Sequence, residues 1–348
     1  MTDLPGVAPL DYTPATLEAL LGPDWSSTLV NAFRWMTLAR VLDGRMLALQ
    51  RQGRIGFYGP ATGQEAVSVG AALSIGPSDW VFPGLREQLV ALARGHSLTT
   101  YMHHLFANDR DPARGRQMPC HPTAREVRYV SMSSVIGTQI THAVGLAYAL
   151  RVRHDPSVAL AFFGDGATSA NDFHAGANLA AVWQAPVVFC CTNNQWAISV
   201  PVDHQTRSAT LAAKSAAYGM PGERVDGTDL VAVVSRLRAA IALARSGAGP
   251  SLLEFVVYRM TPHSSSDDPT RYQSPDFLVE ARAHDPFLRT EALLRTLGLA
   301  DDAKTTAWRE ESDAAVRAAI EAAETVPAPD PDSMLTDVLA PYPPPAPS

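Results

Sequence analysis

The sequence predicts an α/β fold: a parallel sheet with helices on both faces, followed by C-terminal helices. Three observations carry this. Residues 80–260 alternate short apolar runs with helical patterns, as strands of a parallel sheet and their crossover helices do. Within that span, 158–163 and 187–192 are almost unbroken apolar runs with the composition of fully buried strands. Between them, 172–183 carries Phe173, Ala177, Ala180 and Ala181 at helical spacing, and Pro186 resets the chain before the second run. A right-handed crossover of this kind makes the two strands parallel.

In chain order, residues 1–28 read as an irregular arm, acidic and proline-containing. A strongly periodic helix covers 29–50. Thr62, Gly63, Gln64 and Glu65 have capping-box spacing and start a helix through Leu73. Residues 133–139 open a helix of small residues whose first amides form an anion site. Further strands are expected at 224–225 and 252–258, the latter running into a polar loop, 260–272, at the same sheet edge. Two amphipathic helices occupy 285–325, which bounds the α/β domain at 29–284. The segment 326–348 is a proline-rich tail whose end, 341–348, cannot continue a helix and is expected to lie extended on a partner or in solvent.

Composition narrows the function classes. With 348 residues and 46% hydrophobic content the chain can bury a full core, and no stretch is long enough to span a membrane. A formal charge of −7, with lysine only at Lys214 and Lys304, argues against a nucleic-acid surface. Cys120, Cys190 and Cys191 suit reduced thiols better than a disulfide framework or a zinc site. The opening residues show neither a secretory nor a transit pattern, so a cytoplasmic location is expected.

The chemistry concentrates where the two central strands end. Gly164-Asp165-Gly166 breaks the first run and Asn193-Asn194 the second. Asp165 and Asn194, 29 positions apart (194 − 165), therefore emerge at the carboxyl edge of one sheet, where open α/β sheets bind ligands. The glycines are expected to provide turn geometry and close approach to a ligand. A carboxylate, an amide and backbone carbonyls are hard donors suited to magnesium, which usually shares its shell with phosphates and water. A phosphate-bearing cofactor is therefore expected. A magnesium phosphohydrolase would need a second acid two residues after Asp165, where Ala167 stands. Neither a dinucleotide-binding Gly-x-Gly-x-x-Gly turn nor a Gly-Lys-Ser/Thr string occurs.

Joined as strand, GDG, helix, strand and NN, these features resemble the diphosphate-binding signature of thiamine-diphosphate enzymes. Their flanks resemble the alpha subunit of the decarboxylating component of 2-oxo acid dehydrogenase complexes. The resemblance covers about 30–340 and includes RQGRIGFY at 51–58, FPGLRE at 82–87, GRQMP at 115–119, SMSSVIGTQITHAVGLAYA at 131–149, RVDGTD at 224–229 and YRMTPHSSSDDPTRY at 258–272. It implies thiamine diphosphate and magnesium as cofactors. By this likeness Asp165, Asn194 and the backbone carbonyl of Trp196 hold the metal, and Arg86 grips the diphosphate. Ser134, Gly164 and Gly166 line the cofactor, Ile136 bends it beneath its thiazolium ring, and His263 is the catalytic residue that stabilises the cofactor or its intermediate. Ser133, the carbonyl of Val135, Thr138 and Gln139 hold a structural potassium ion, while Arg259, Asp267 and Tyr272 order the loop around His263. Ser264 aligns with a serine phosphorylated in some mitochondrial relatives. The chain departs from the pattern at Leu85, where a tyrosine is usual, at Thr192, where some relatives carry arginine, and at Ala170-Asn171, which replaces Glu-Gly. His103, His104, His121, His142 and His174 match no motif and read as packing residues.

The same resemblance implies a divided active site. The glutamate that activates the cofactor comes from a separate beta subunit, giving a heterotetramer of two alpha and two beta chains with cofactor at each interface. The assembled oxidoreductase would decarboxylate a 2-oxo acid and pass the acyl group to the lipoyl arm of a partner acyltransferase. The segments RQGRIGFY, GRQMP and PHSSSDDPTRY look closest to branched-chain relatives, so a branched-chain 2-oxo acid is expected ahead of pyruvate or acetoin. The non-enzyme alternative is a subunit that binds cofactor for assembly without catalysis.

Overall fold

A computed structural model of the chain describes residues 7–336. Helices α1 (Pro14–Leu21), α2 (Trp25–Arg51) and α3 (Glu65–Ser74) lead into strand β1 (Trp80–Phe82). Helices α4 (Gln88–Ala93), α5 (Leu98–Leu105) and α6 (Thr138–Val152) precede β2 (Ala159–Gly164), α7 (Asn171–Val182) and β3 (Val187–Asn193). A small ribbon, β4 (Trp196–Ala197) and β5 (Val200–Pro201), is followed by α8 (Val202–Gln205), β6 (Gly222–Asp226), α9 (Leu230–Arg245) and β7 (Ser251–Val256). Helices α10 (Pro275–Ala283), α11 (Pro286–Thr296) and α12 (Asp302–Glu324) follow.

The sheet has the order β1-β2-β3-β7-β6, and every neighbouring pair is parallel. Strand periodicity divides the core. Val158, Leu160 and Phe162 face one side with Val67 of α3 and Val233, Leu237 and Ile241 of α9. Ala159, Ala161 and Phe163 face the other with Ile140 and Val144 of α6 and Phe173 and Ala177 of α7. A third cluster joins α2 to α11 and α12, outside the sheet layer. Both faces of β2 and β3 are thus covered, which is why their sequences are continuously apolar.

Several expectations are corrected. The arm is not irregular: α1 starts at Pro14, is capped by Thr13 Oγ1 accepting from Thr16 N at 3.2 Å, and buries Leu17 and Leu21. The capping box at 62–65 does not form. Thr62 Oγ1 instead donates to Asp43 Oδ2 at 2.6 Å, and Glu65 takes the Gly63 amide at 2.9 Å. The helix expected to open across 133–139 begins only at Thr138, so no helical anion site exists at residues 133–136. Helix α10 occupies 275–283, between the expected loop and the C-terminal helices, where no element is expected. Pro327 O accepts from Asp109 N at 2.9 Å and Arg116 binds the Ser333 carbonyl, so 326–336 folds back on its own chain, while 341–348, the part expected to lie extended, falls outside the described residues. The remainder of the tail, 337–348, and residues 1–6 of the arm lie outside the described residues. Among the described residues no helix is long and apolar enough to cross a membrane.

Candidate active site

Register sets the site. Gly164 at the end of β2 pairs with Thr192 of β3, so Asp165 and Asn194 leave two adjacent strands side by side at the carboxyl edge. Asp165 is 1% exposed, and burial pushes its carboxyl above the usual carboxylate range. Its Oδ2 accepts from Gln205 Nε2 at 2.6 Å, an amide carried in by α8, 40 residues on. Asn194 Oδ1 accepts from Trp196 N at 3.2 Å, and its amide donates to Gln64 Oε1 at 3.3 Å. The neighbouring Asn193 is locked by Glu254 of β7, whose Oε1 accepts from Asn193 Nδ2 at 2.7 Å. The Trp196 carbonyl accepts from Arg259 Nη1 at 3.3 Å.

The two glycines act differently from the expected turn role, because neither has a positive φ. A Cβ on Gly166 would sit 2.6 Å from Ala197 Cβ, so this glycine lets the β4–β5 ribbon approach. A Cβ on Gly164 would meet nothing within 4 Å, and its φ of −81° suits any residue. The chain itself does not require glycine at 164; a ligand lying against the strand end would.

Beside the acid lies a well of positive charge. Arg86 is buried and donates to the Pro60 carbonyl and, at 2.7 Å, to the His263 carbonyl. Arg259 is fully buried, donates to Ile198 O at 2.6 Å and Tyr272 OH at 2.7 Å, and leaves its Nε without a partner. Among the described residues, neither guanidinium forms an ion pair with a carboxylate. Burial and the charge of Arg259 lower the Arg86 pKa to about 10. Burial first, then Arg86 and Arg259, lowers that of His263 to about 4, so the imidazole is neutral at neutral pH. Arg86 only donates, so at 3.3 Å it meets an unprotonated His263 Nδ1, and the ring proton sits on Nε2. Two buried guanidinium groups with no direct ion pair of their own, close to a buried acid, leave positive charge free to meet an anionic ligand.

The remaining candidates fall into groups. The His263 amide donates to Asp267 Oδ2 at 2.7 Å, and Tyr272 OH bonds both that carboxylate and Arg259, so the loop residues form one network. Ser265 N donates to Tyr58 O at 3.1 Å and ties the loop to the turn before α3. Val135 and Ile136 are 66% and 64% exposed, so Ile136 is no core residue. Ser133 Oγ accepts from Val135 N at 3.2 Å, and the Val135 carbonyl accepts from Thr138 N at 3.4 Å. Gln139 donates to Phe162 O at 2.9 Å while its Oε1 is buried without a partner, an orphan a cation would satisfy. Leu85 packs against Gly59, and the Thr192 hydroxyl is buried unpartnered, so neither replaces the absent phosphate contacts. Ser264 caps its own loop, its Oγ accepting from Ser266 N at 3.4 Å.

Gln205, Gln64, Glu254 and Asp43 are the residues the sequence did not reveal. Asp43 accepts from Tyr58 OH, Ala61 N and Thr62 Oγ1 at 2.8, 2.9 and 2.6 Å and so shapes the loop that holds Arg86. Asp43 had no local signal beyond being an acid on the apolar face of a helix.

Residues 33–332 match the family described as the dehydrogenase E1 component. The chain is 41% identical to the 2-oxoisovalerate dehydrogenase subunit alpha of Bacillus subtilis over 313 residues, 89% of this chain and 95% of that protein. It is 41% identical to the 3-methyl-2-oxobutanoate dehydrogenase subunit alpha of Mycobacterium tuberculosis over 80% of this chain and 77% of that one. Against the human mitochondrial 2-oxoisovalerate dehydrogenase subunit alpha the identity is 37%, over 90% of this chain and 71% of the relative. The match spans the whole sheet, and membership of this family implies dependence on thiamine diphosphate. The chain belongs to the dehydrogenase E1 component family.

Proposed function

We propose that this chain is the alpha subunit of a branched-chain 2-oxo acid dehydrogenase. It holds thiamine diphosphate through magnesium, shares the active site with a beta subunit in an assembly of two alpha and two beta chains, and works with a lipoyl acyltransferase in the cytoplasm. The observation that carries the chemistry is the pairing of Asp165 and Asn194 at adjacent strand ends with two buried guanidinium groups that bond carbonyls and a phenol rather than a carboxylate. The substrate class rests on the three relatives, each named for a branched-chain 2-oxo acid. Three buried, unpaired thiols are compatible with a reducing compartment.

Bound thiamine diphosphate supplies a carbon nucleophile that attacks the ketone and holds the electron pair released with carbon dioxide. The residues of this chain provide the setting. Asp165, Asn194 and the Trp196 carbonyl would ligate magnesium, with Gln205 fixing the carboxylate. Arg86 would neutralise diphosphate charge from a dry position, where one cation counts for more than at the surface. Neutral His263 would present its Nε2 proton as a hydrogen-bond donor rather than as a third charge. Ser133, Val135, Thr138 and Gln139 would accept a potassium ion at the orphaned Gln139 oxygen.

The test is reconstitution with a beta subunit and comparison of rates on 3-methyl-2-oxobutanoate, 4-methyl-2-oxopentanoate and pyruvate. The branched substrates are expected to lead in kcat/KM by about tenfold or more, since each buried methylene is worth ~1–3 kcal/mol. A preference for pyruvate rejects the substrate assignment and leaves the thiamine chemistry standing.

A further inference from the structure

His121 belongs to none of the groups above, yet it lies buried directly behind the exposed hydroxyl of Ser134. Its Nδ1 is 2.9 Å from the Pro119 carbonyl. A carbonyl only accepts, so Nδ1 carries the proton, and Nε2 of the neutral ring is an acceptor. Nε2 is the atom hydrogen-bonded to Ser134 Oγ, so the hydroxyl donates inward. The Met118 thioether, 4.0 Å from Ser134 Oγ, is a weak competing acceptor. The ring is braced from behind: the His121 amide donates to His104 Nε2 at 3.1 Å, which leaves His104 Nδ1 to donate to Asp111 Oδ1, also at 3.1 Å. Asp111 is fastened by the amides of Ala113 and Gly115 at 3.0 and 2.8 Å.

We infer that His121 is a positioning residue that makes the Ser134 hydroxyl a hydrogen-bond acceptor toward the ligand. The inference rests on the 2-oxo acid reading given above. Ser134 stands exposed two residues before Ile136, the residue that, on the proposed function, lies under the reactive end of the cofactor. At neutral pH a 2-oxo acid offers a ketone oxygen and a carboxylate, both acceptors, so Ser134 gains nothing from the arriving substrate. When a carbon nucleophile adds to the ketone carbon, the π pair moves to oxygen, oxygen takes up one proton from the medium, and the resulting hydroxyl is a donor. Ser134 meets that donor only as addition proceeds, so its contribution falls on kcat rather than KM.

Nitrogen NMR of the full chain labelled at histidine tests the pair without turnover. His121 is expected as the Nδ1–H tautomer, with an Nε2 resonance that moves in Ser134→Ala. An Nε2–H tautomer, or a resonance indifferent to that substitution, overturns the inference. In the complex reconstituted with a beta subunit, Ser134→Ala and His121→Phe are each expected to lower kcat about tenfold, the loss of one hydrogen bond, with KM changed by less than about twofold. The double variant should be no slower than the slower single one, because the two residues act as a unit. A rise in KM at constant kcat, or losses that multiply, overturns it too. If the parent complex turns over no 2-oxo acid, the proposed function fails, and the tautomer measurement still decides whether His121 orients Ser134.

Discussion

Asp165 is held by the fold in a buried state where its charge is disfavoured, one that a bound cation would relieve. Its carboxyl is raised by burial, with Gln205 as a neutral donor where a cation would serve better. For the metal-free chain the sign is definite: the native state takes up a proton at higher pH than the unfolded chain does. Its stability therefore improves as pH falls and is lost as pH rises through the native value. Asp165→Asn removes the charge and keeps an oxygen for Gln205, so the metal-free variant is expected to melt above the parent at pH 7 by calorimetry. The same substitution should weaken magnesium-dependent binding of thiamine diphosphate by about 3–5 kcal/mol, roughly a hundredfold or more by isothermal titration. A lower melting temperature together with unchanged affinity would remove Asp165 from the metal site. At this scale the sequence exposed the residues that sit at strand ends, because a break in an apolar run marks a strand end. It concealed Gln205, Gln64 and His121, whose partners lie 40, 130 and 13 positions away and are brought together only by tertiary packing.

Among the elements, the strands were legible because β2 and β3 are covered on both faces and contain little but apolar residues. Helix α1 escaped notice because two buried leucines, Leu17 and Leu21, give little periodicity, although Thr13 and Pro14 form a cap and first-turn pair. Helix α10 likewise starts with Ser274 as cap and Pro275 in its first turn, directly after the polar loop, and buries only Ala281. The capping box misled because Thr62 is diverted by Asp43, a long-range competitor no local rule contains. The junction between α2, α3 and α11 rests on Arg40, which bonds Glu65 and both oxygens of Asp285 at 3.1 and 2.6 Å. Glu65 and Asp285 are nearly inaccessible to water, so Arg40→Ala would leave two buried carboxylates together. A loss of about 3–5 kcal/mol in urea unfolding is expected. Loss below about 1 kcal/mol would mean that water reaches the pair.

At the scale of the molecule, the described residues contain one five-stranded parallel sheet and one two-stranded ribbon, hence a single α/β unit. That unit carries exposed apolar side chains at Met118, Val135 and Ile136, beside or next in sequence to Ser134, and at Ile198 and Val200 on the ribbon that abuts Gly166. Apolar groups left in water beside a buried charge well are what a subunit interface covers. Ile136 separates the two roles experimentally. At 64% exposure it contributes little to folding, so Ile136→Ala should leave the melting temperature of the isolated chain unchanged, within about 0.5 kcal/mol. If the beta subunit closes over these side chains and supplies the missing acid, the isolated chain should release no carbon dioxide from 3-methyl-2-oxobutanoate. Adding the beta chain should yield an assembly of two alpha and two beta chains by light scattering, together with activity that Ile136→Ala reduces. Robust decarboxylation by the isolated chain would overturn the divided site. An Ile136→Ala variant that loses stability alone yet keeps full activity in the assembly would return that residue to the core.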